Sequence, residues 1–212
     1  MGTLALLLWT ALATNAEKTV GSRPYELEWA GRTEDAYPPL VAFEDLQGWS
    51  VASEDESSGL HFARFERSRE QQIWGDYVGK LTYRRRGTRS ALEIRPPQPI
   101  PIARPFDAVT LWVYGNNWGW APDPRTPQVT IRVLLEDASG DELAVYLCRV
   151  DWKEWNLLHR RLSPGEIERV REGARFKAIA VSGGTNLKDR VLYFDNLAFF
   201  TAVTTDRAAE AL

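Results

Sequence analysis

From residue 40 to residue 200 the chain is a succession of about ten short apolar or alternating runs, each closed by turn residues. They read LVAFEDL, LHFARFER, YVGKLTYRR, SALEIR, DAVTLWVYG, QVTIRVLLED, ELAVYLCRV, NLLHRRL, FKAIAVSG and VLYFDNLAFF, with SSG, RPPQPIP, ASGD and SGGTN between them. Many short strands at near-regular spacing, without intervening helical patterns, predict an all-β antiparallel sandwich of two sheets. The period of two is explicit in QVTIRVLLED, where Val129, Ile131, Val133 and Leu135 share one face and Gln128, Thr130, Arg132 and Glu136 the other. Applied to DAVTLWVYG, the same rule turns Val109, Leu111 and Val113 inward and Thr110, Trp112 and Tyr114 outward. One short helix is expected in SPGEIERVREG, with Ser163 as its cap, Pro164 at its first position and Gly173 at its end.

The length of 212 residues suits one domain with appendages. We place a signal peptide at 1–16, an N-terminal extension and linker at 17–39, the sandwich at 40–200 and a polar tail at 201–212. The leader reading rests on the apolar run at 4–13 and on Thr14 and Ala16, small residues before a cut at Glu17. That run is too short for a stable membrane span, so a secreted or periplasmic location is expected. A formal charge of −3 provides no field to attract a polyanion, and the basic YRRRGTR is balanced by SEDESS, so nucleic acid is not an expected partner. The single Cys148 excludes an intramolecular disulfide, and its apolar neighbours mark it as structural. No nucleophile elbow, zincin or P-loop motif occurs, and the two histidines, His61 and His159, sit in no recognisable catalytic setting. The carboxylates of EDASGDE read as a hairpin with Gly140 at the tip, so no enzyme is expected.

Nine tryptophans are the compositional outlier. Two of them, Trp118 and Trp120, lie in the loop GNNWGWAPDPRTP directly after the strand that carries Trp112 and Tyr114. A pyranose offers an apolar face that stacks on an aromatic plane and a rim of hydroxyls that needs amide, carboxylate or guanidinium partners. Trp112, Tyr114, Trp118 and Trp120 could supply the planes, and Asn116, Asn117 and Arg132 the polar contacts. Alternatively Trp112 is core, and one loop tryptophan anchors the loop. Trp49, Trp152 and Trp155 read as structural, and Trp74 is unassigned.

The order FEDLQGW, YVGKLTYR, VTLWVYGN, VLLEDASGD, VDWKEWNLL and LYFDNLAFF resembles that of galactose-binding-like β-jelly-roll domains, among them carbohydrate-binding modules of bacterial secreted glycoside hydrolases. The resemblance covers roughly residues 40–200 and departs at Glu154-Trp155, where such domains often have Gly-Trp. It implies a jelly roll whose first and last strands lie side by side. It also implies a structural calcium held there by Glu44 and Asp195, with Asp45 as the alternative carboxylate. The expected function is non-catalytic binding of an oligo- or polysaccharide, accessory to polysaccharide processing. The alternative is a structural or protein-interaction sandwich whose aromatics pack on a neighbouring domain or enzyme partner; a jelly-roll glycosidase or lyase is a third.

Overall fold

A computed structural model of the chain describes residues 39–53, 60–85, 91–103, 105–118, 128–183 and 186–202. The expected leader, the extension with RPYELEWAGR, the arginines after residue 85, Trp120 and the tail beyond residue 202 lie outside the described residues.

Among the described residues eleven strands and one helix follow in chain order: β1 (Ser50–Ser53), β2 (Leu60–Ser68), β3 (Val78–Arg85), β4 (Leu92–Arg95), β5 (Ile100–Pro101), β6 (Ala108–Tyr114), β7 (Thr130–Asp137), β8 (Glu142–Arg149), β9 (Trp155–Arg161), α1 (Pro164–Val170), β10 (Ala174–Ser182) and β11 (Asn186–Phe200). The expected two-sheet sandwich is what forms. One sheet runs β1-β4-β10-β7-β8, with β5 beside β10, and the other runs β2-β3-β11-β6-β9. All the pairings are antiparallel.

Alternation does what the sequence pattern demands. Val129, Ile131, Val133 and Leu135 from one sheet face Val109, Leu111 and Val113 from the other in a single buried core, closed by Phe43, Phe176 and Phe194. Trp49 packs at its margin, with its ring 5.7 Å from Phe65 and 6.3 Å from Phe176. Each fully buried side chain of this size contributes roughly 1.5–3 kcal/mol of transfer free energy. The β7–β8 hairpin forms as expected: Gly140 sits at φ 85°, and Asp137 Oδ1 accepts from the N–H groups of Ser139 and Asp141, both at 3.0 Å. Helix α1 carries a full capping box between Ser163 and Glu166. Its Arg169 donates to Asp137 Oδ2 at 2.7 Å and so fastens the helix to the hairpin.

The run LVAFEDL departs from expectation. It makes a single bridge, Val41 to Leu197, in place of a strand. The cause is Phe43, whose left-handed backbone (φ 56°) turns its ring into the core and ends the pairing. The first segment therefore does lie beside the last strand, with Leu40 N donating to Leu197 O at 2.7 Å, but only over one turn of chain. The short β1 and β5 carry no alternating pattern of their own and were not expected.

Candidate functional site

Because register in a sheet fixes which side chains are neighbours, the pairings define a row across the whole β2-β3-β11-β6-β9 sheet. Glu66 pairs with Lys80, Lys80 with Tyr193, Tyr193 with Tyr114 and Tyr114 with Trp155. The flanking residues Leu81, Leu192 and Val113 and, three residues from Trp155, Leu158 belong to the core cluster, and Phe65 packs against it, so alternation sends the whole row to the outer face. Five strands give four spacings, a row about 19 Å long. Its β6, β9 and β11 half is aromatic: the Tyr114 ring lies 5.7 Å from Trp155 and 5.7 Å from Tyr193, both edge to face. Its β2 and β3 half is polar, with Glu66 and Lys80 in the row and Arg64 beside Thr82 in the next.

Loop 69–77, between β2 and β3, folds back over this face and forms a wall along the row. Several contacts hold it. Trp155 Nε1 donates to Gln71 O at 2.9 Å, which ties the loop to the far edge strand. Glu70 Oε2 accepts from both Lys80 Nζ and the Tyr193 hydroxyl, each at 2.6 Å. Trp74 packs edge to face on Trp112, with ring centroids 5.5 Å apart, in a cluster with Ile73, Trp155 and Leu157. Arg67 and Arg69 lie over the Tyr77 ring at 4.4 and 5.1 Å. The loop reaches this position through two left-handed residues, Gln71 (φ 55°) and Gly75 (φ 54°), and Gln72 Nε2 closes it on Gly75 O. The electrostatics follow the contacts. The Lys80 ammonium, with help from the Tyr193 hydroxyl, holds the Glu70 carboxyl below the usual carboxylate range. Burial, reinforced by the Glu70 carboxylate, pushes the Tyr193 phenol up, so it remains a hydrogen-bond donor throughout the neutral range.

The residues singled out from sequence divide between several places. Tyr114 is half-buried in the row, between Tyr193 and Trp155. Trp112 does point outward, as alternation requires, but it is covered by the loop and only 5% exposed, so it supports the wall and is no open platform. Asn116 and Asn117 turn away from the outer face: Asn116 Nδ2 donates to the core hydroxyl of Tyr83 at 3.3 Å, and buried Asn117 gives its N–H to Trp152 O at 3.1 Å. They brace the end of β6 at Gly115, where a Cβ would run into the Trp152 backbone. Trp118 is half-buried, and Trp120 is outside the described residues. Arg132 is removed from this group altogether. It lies on β7 of the opposite sheet, bonded to Ser182 Oγ at 3.0 Å, because alternation sets the face within a strand and not the sheet to which the strand belongs. Trp152 is structural, as expected, with Nε1 on Val113 O at 3.1 Å.

Sequence reasoning missed the polar Glu66, Glu70, Lys80 and Arg64 and, among the aromatics, Trp155 and Tyr193. The signal was parity: in LYFDNL, Leu192 and Phe194 are core, so Tyr193 between them must face outward, and in NLLHRR inward Leu158 places Trp155 on the outer side.

A second feature lies at the foot of the same loop. A hollow of about 240 Å³ is lined by Pro39, Ala42, Glu44, Trp74, Gly75, Asp76 and Asn196. Glu44 Oε1 accepts the Asp76 N–H at 2.9 Å, and the carboxylate presses so closely on Gly75 that any side chain there would collide with it. Asp195 is fully buried next to the hollow; its Oδ1 accepts from Asn196 N at 2.8 Å, within a bulge that puts Asn196 at φ 41°. Asp45 is exposed and occupied with its own turn, accepting from Gln47 N at 2.9 Å. The oxygen-only donors around this hollow suit a hard cation. Among the described residues no three carboxylate, imidazole or thiol groups converge, so backbone carbonyls would have to complete a shell.

No protein-family model matches the chain, and no curated protein matches it in sequence. Solved structures do match in fold. One is a carbohydrate-binding module described as belonging to the β-sandwich superfamily, at 12% identity and a TM-score of 0.54 over 77% of this chain; the chain spans only 62% of that structure's length. Another is the family 11 carbohydrate-binding module of a cellulosomal cellulase from Clostridium thermocellum, at 11% identity and a TM-score of 0.50, covering 79% of this chain and 96% of that one. The chain thus has the β-sandwich fold of carbohydrate-binding modules.

Proposed function

We propose that this chain is a non-catalytic glycan-binding module and that the outer face of the β2-β3-β11-β6-β9 sheet is its binding surface. The observation that carries the reading is the register row: Tyr193, Tyr114 and Trp155 side by side, continued by Lys80 and Glu66, with Arg64 in the next row, along the wall made by loop 69–77. The half-exposed Tyr114 and Trp155 take the apolar faces of sugar rings, the buried Tyr193 fixes the Glu70 carboxylate beside them, and the polar half meets the hydroxyls. A row of about 19 Å is long enough for several rings. The fold shared with carbohydrate-binding modules supports the same reading. An exported role, accessory to polysaccharide processing, goes with it. The test is calorimetry of the purified chain against a panel of neutral and acidic polysaccharides. Trp155→Ala should weaken binding by about 1–2 kcal/mol, the worth of an aromatic contact. Failure of the parent to bind any of the panel would return the surface to the alternative, a dock for a neighbouring domain.

Calcium belongs to the same proposal as a structural ion at the Glu44 hollow, joining the first segment to β11 through Glu44 and Asp195. When bound, it would stabilise the folded state by mass action. Excess EDTA should therefore lower the melting temperature of the chain, and Asp195→Asn should abolish that sensitivity. A melting curve indifferent to both EDTA and added calcium would remove the ion from the account.

A further inference from the structure

Glu70 occupies an unusual position in the wall of the row. Its carboxylate serves two partners from two strands, Lys80 Nζ on β3 and the Tyr193 hydroxyl on β11, and both bonds fall on the same oxygen, Oε2, at 2.6 Å. The side chain nevertheless remains 60% exposed. Oε1 is thus left to solvent, at the point where the aromatic half of the row meets the polar half. Lys80, 18% exposed, stands with its ammonium 5.8 Å from the centre of the Tyr193 ring. One of its three donors is used by Glu70, which leaves donors for another acceptor. A carboxylate lone pair and an ammonium N–H therefore stand together beside an aromatic ring, fixed in place by each other. Because the two bonds immobilise the carboxylate before any ligand arrives, little further ordering is needed when it accepts a new bond.

We propose that Glu70 is the specificity-determining residue of this surface: its Oε1 accepts one hydroxyl of a pyranose while Lys80 donates to an adjacent one, selecting neutral sugars with neighbouring free hydroxyls over uronates. The inference rests on the glycan-binding reading of the row. Its physical basis is that hydrogen bonds to an ionised acceptor are about twice as strong as neutral ones. A ligand carboxylate brought to the same place would meet Glu70 as a like charge. Of the other cations near the polar half, Arg67 and Arg69 lie over the Tyr77 ring, and two more are held in ion pairs. Arg64 is paired with Glu66 at 2.7 Å and Arg84 with Asp189 at 3.4 Å, so they offer a uronate no unpartnered guanidinium.

The experiment measures binding of the full chain, Glu70→Gln and Tyr193→Phe to a neutral xylan or glucan and to polygalacturonate, with thermal melts as a control for folding. Glu70→Gln retains an oxygen that can still accept from Tyr193 and Lys80 but loses the charge. It should weaken neutral-glycan binding about tenfold or more and reduce the preference for neutral over acidic glycan. Tyr193→Phe loosens the same loop contact while keeping the ring and the Glu70 charge, so it should cost clearly less and preserve the preference. Equal losses in the two variants would show that Glu70 only positions the loop, and unchanged binding in Glu70→Gln would show that it reads nothing; either overturns the inference while leaving the surface standing. A parent chain that binds no glycan would overturn the surface and the inference together.

Discussion

Replacing Trp112 tests most directly whether the loop is a wall or a removable cover. Trp112 is 5% exposed and meets Trp74 edge to face, with Ile73, Trp155 and Leu157 around it. Truncating a buried tryptophan to alanine costs about 3–5 kcal/mol. For a chain of this size each kcal/mol lowers the melting temperature by about 2–4 °C, so Trp112→Ala should melt roughly 6–20 °C below the parent. A second substitution separates packing from hydrogen bonding. The buried Trp112 Nε1 has no hydrogen-bond partner among the described residues, and an unmet buried donor costs about 1–3 kcal/mol. Trp112→Phe removes that donor while keeping an aromatic ring against Trp74, so its loss should fall well below that of the alanine variant. Differential scanning calorimetry of the three proteins reads both effects. The same variants bound to glycan then report on the wall: Trp112→Ala should weaken binding only through the loosened loop. A Trp112→Ala chain that melts like the parent yet no longer binds glycan would refute the argument, because it would make Trp112 a contact surface rather than a support.

Other positions give sharper local tests. Gly75→Ala should destabilise the chain, because φ 54° is strained for alanine and the added Cβ meets the Glu44 carboxylate; a melt matching the parent would mean the loop can yield there. Burial, with the nearby Asp151 charge, pushes the Cys148 thiol up to about 12. Labelling of the native chain at pH 8 should therefore be much slower than that of a free peptide thiol, which ionises near about 8.5. The sign for stability follows: between roughly 8.5 and 12 the folded state holds a proton that the unfolded chain has lost, so stability should fall as pH rises through that window, which alkaline denaturation curves would show.

The sandwich was legible because its information is local. A strand such as β7 declares its inward face through Val133 and Leu135 whatever its neighbours are, and the capping box of α1 needs only Ser163 and Glu166. The site was less legible because it depends on pairing. Nothing within DAVTLWVYG shows that Tyr114 lies between Tyr193 and Trp155, which are 79 and 41 residues away in the chain. Nor does a strand pattern show what covers its outer face. Trp112 and Tyr114 are equivalent by alternation, yet loop 69–77 buries one and leaves the other half-open. Arg132 failed as a member of the group for the related reason that its strand belongs to the other sheet.

The distribution of exposed apolar groups favours sugar over protein as the occupant of the row. A protein dock is built around a contiguous apolar patch with buried aromatic anchors at its centre. Among the described residues the large exposed hydrophobics are Phe62, Tyr146 and Ile167, and they sit apart on β2, β8 and α1, belonging to different parts of the surface. In the row the arrangement is reversed. The aromatics are half-buried or buried, with Tyr193 at 8% exposure, and two of the three have polar company: Trp155 on Gln71, Tyr193 on Glu70 and Lys80. Partly sunken rings with fixed hydrogen-bonding groups beside them suit a ligand that is apolar on one face and hydroxylated at its edge, whereas an apolar protein surface would bury the 60% exposed Glu70 carboxylate at a desolvation cost that its bonds to Lys80 and Tyr193 offset only in part.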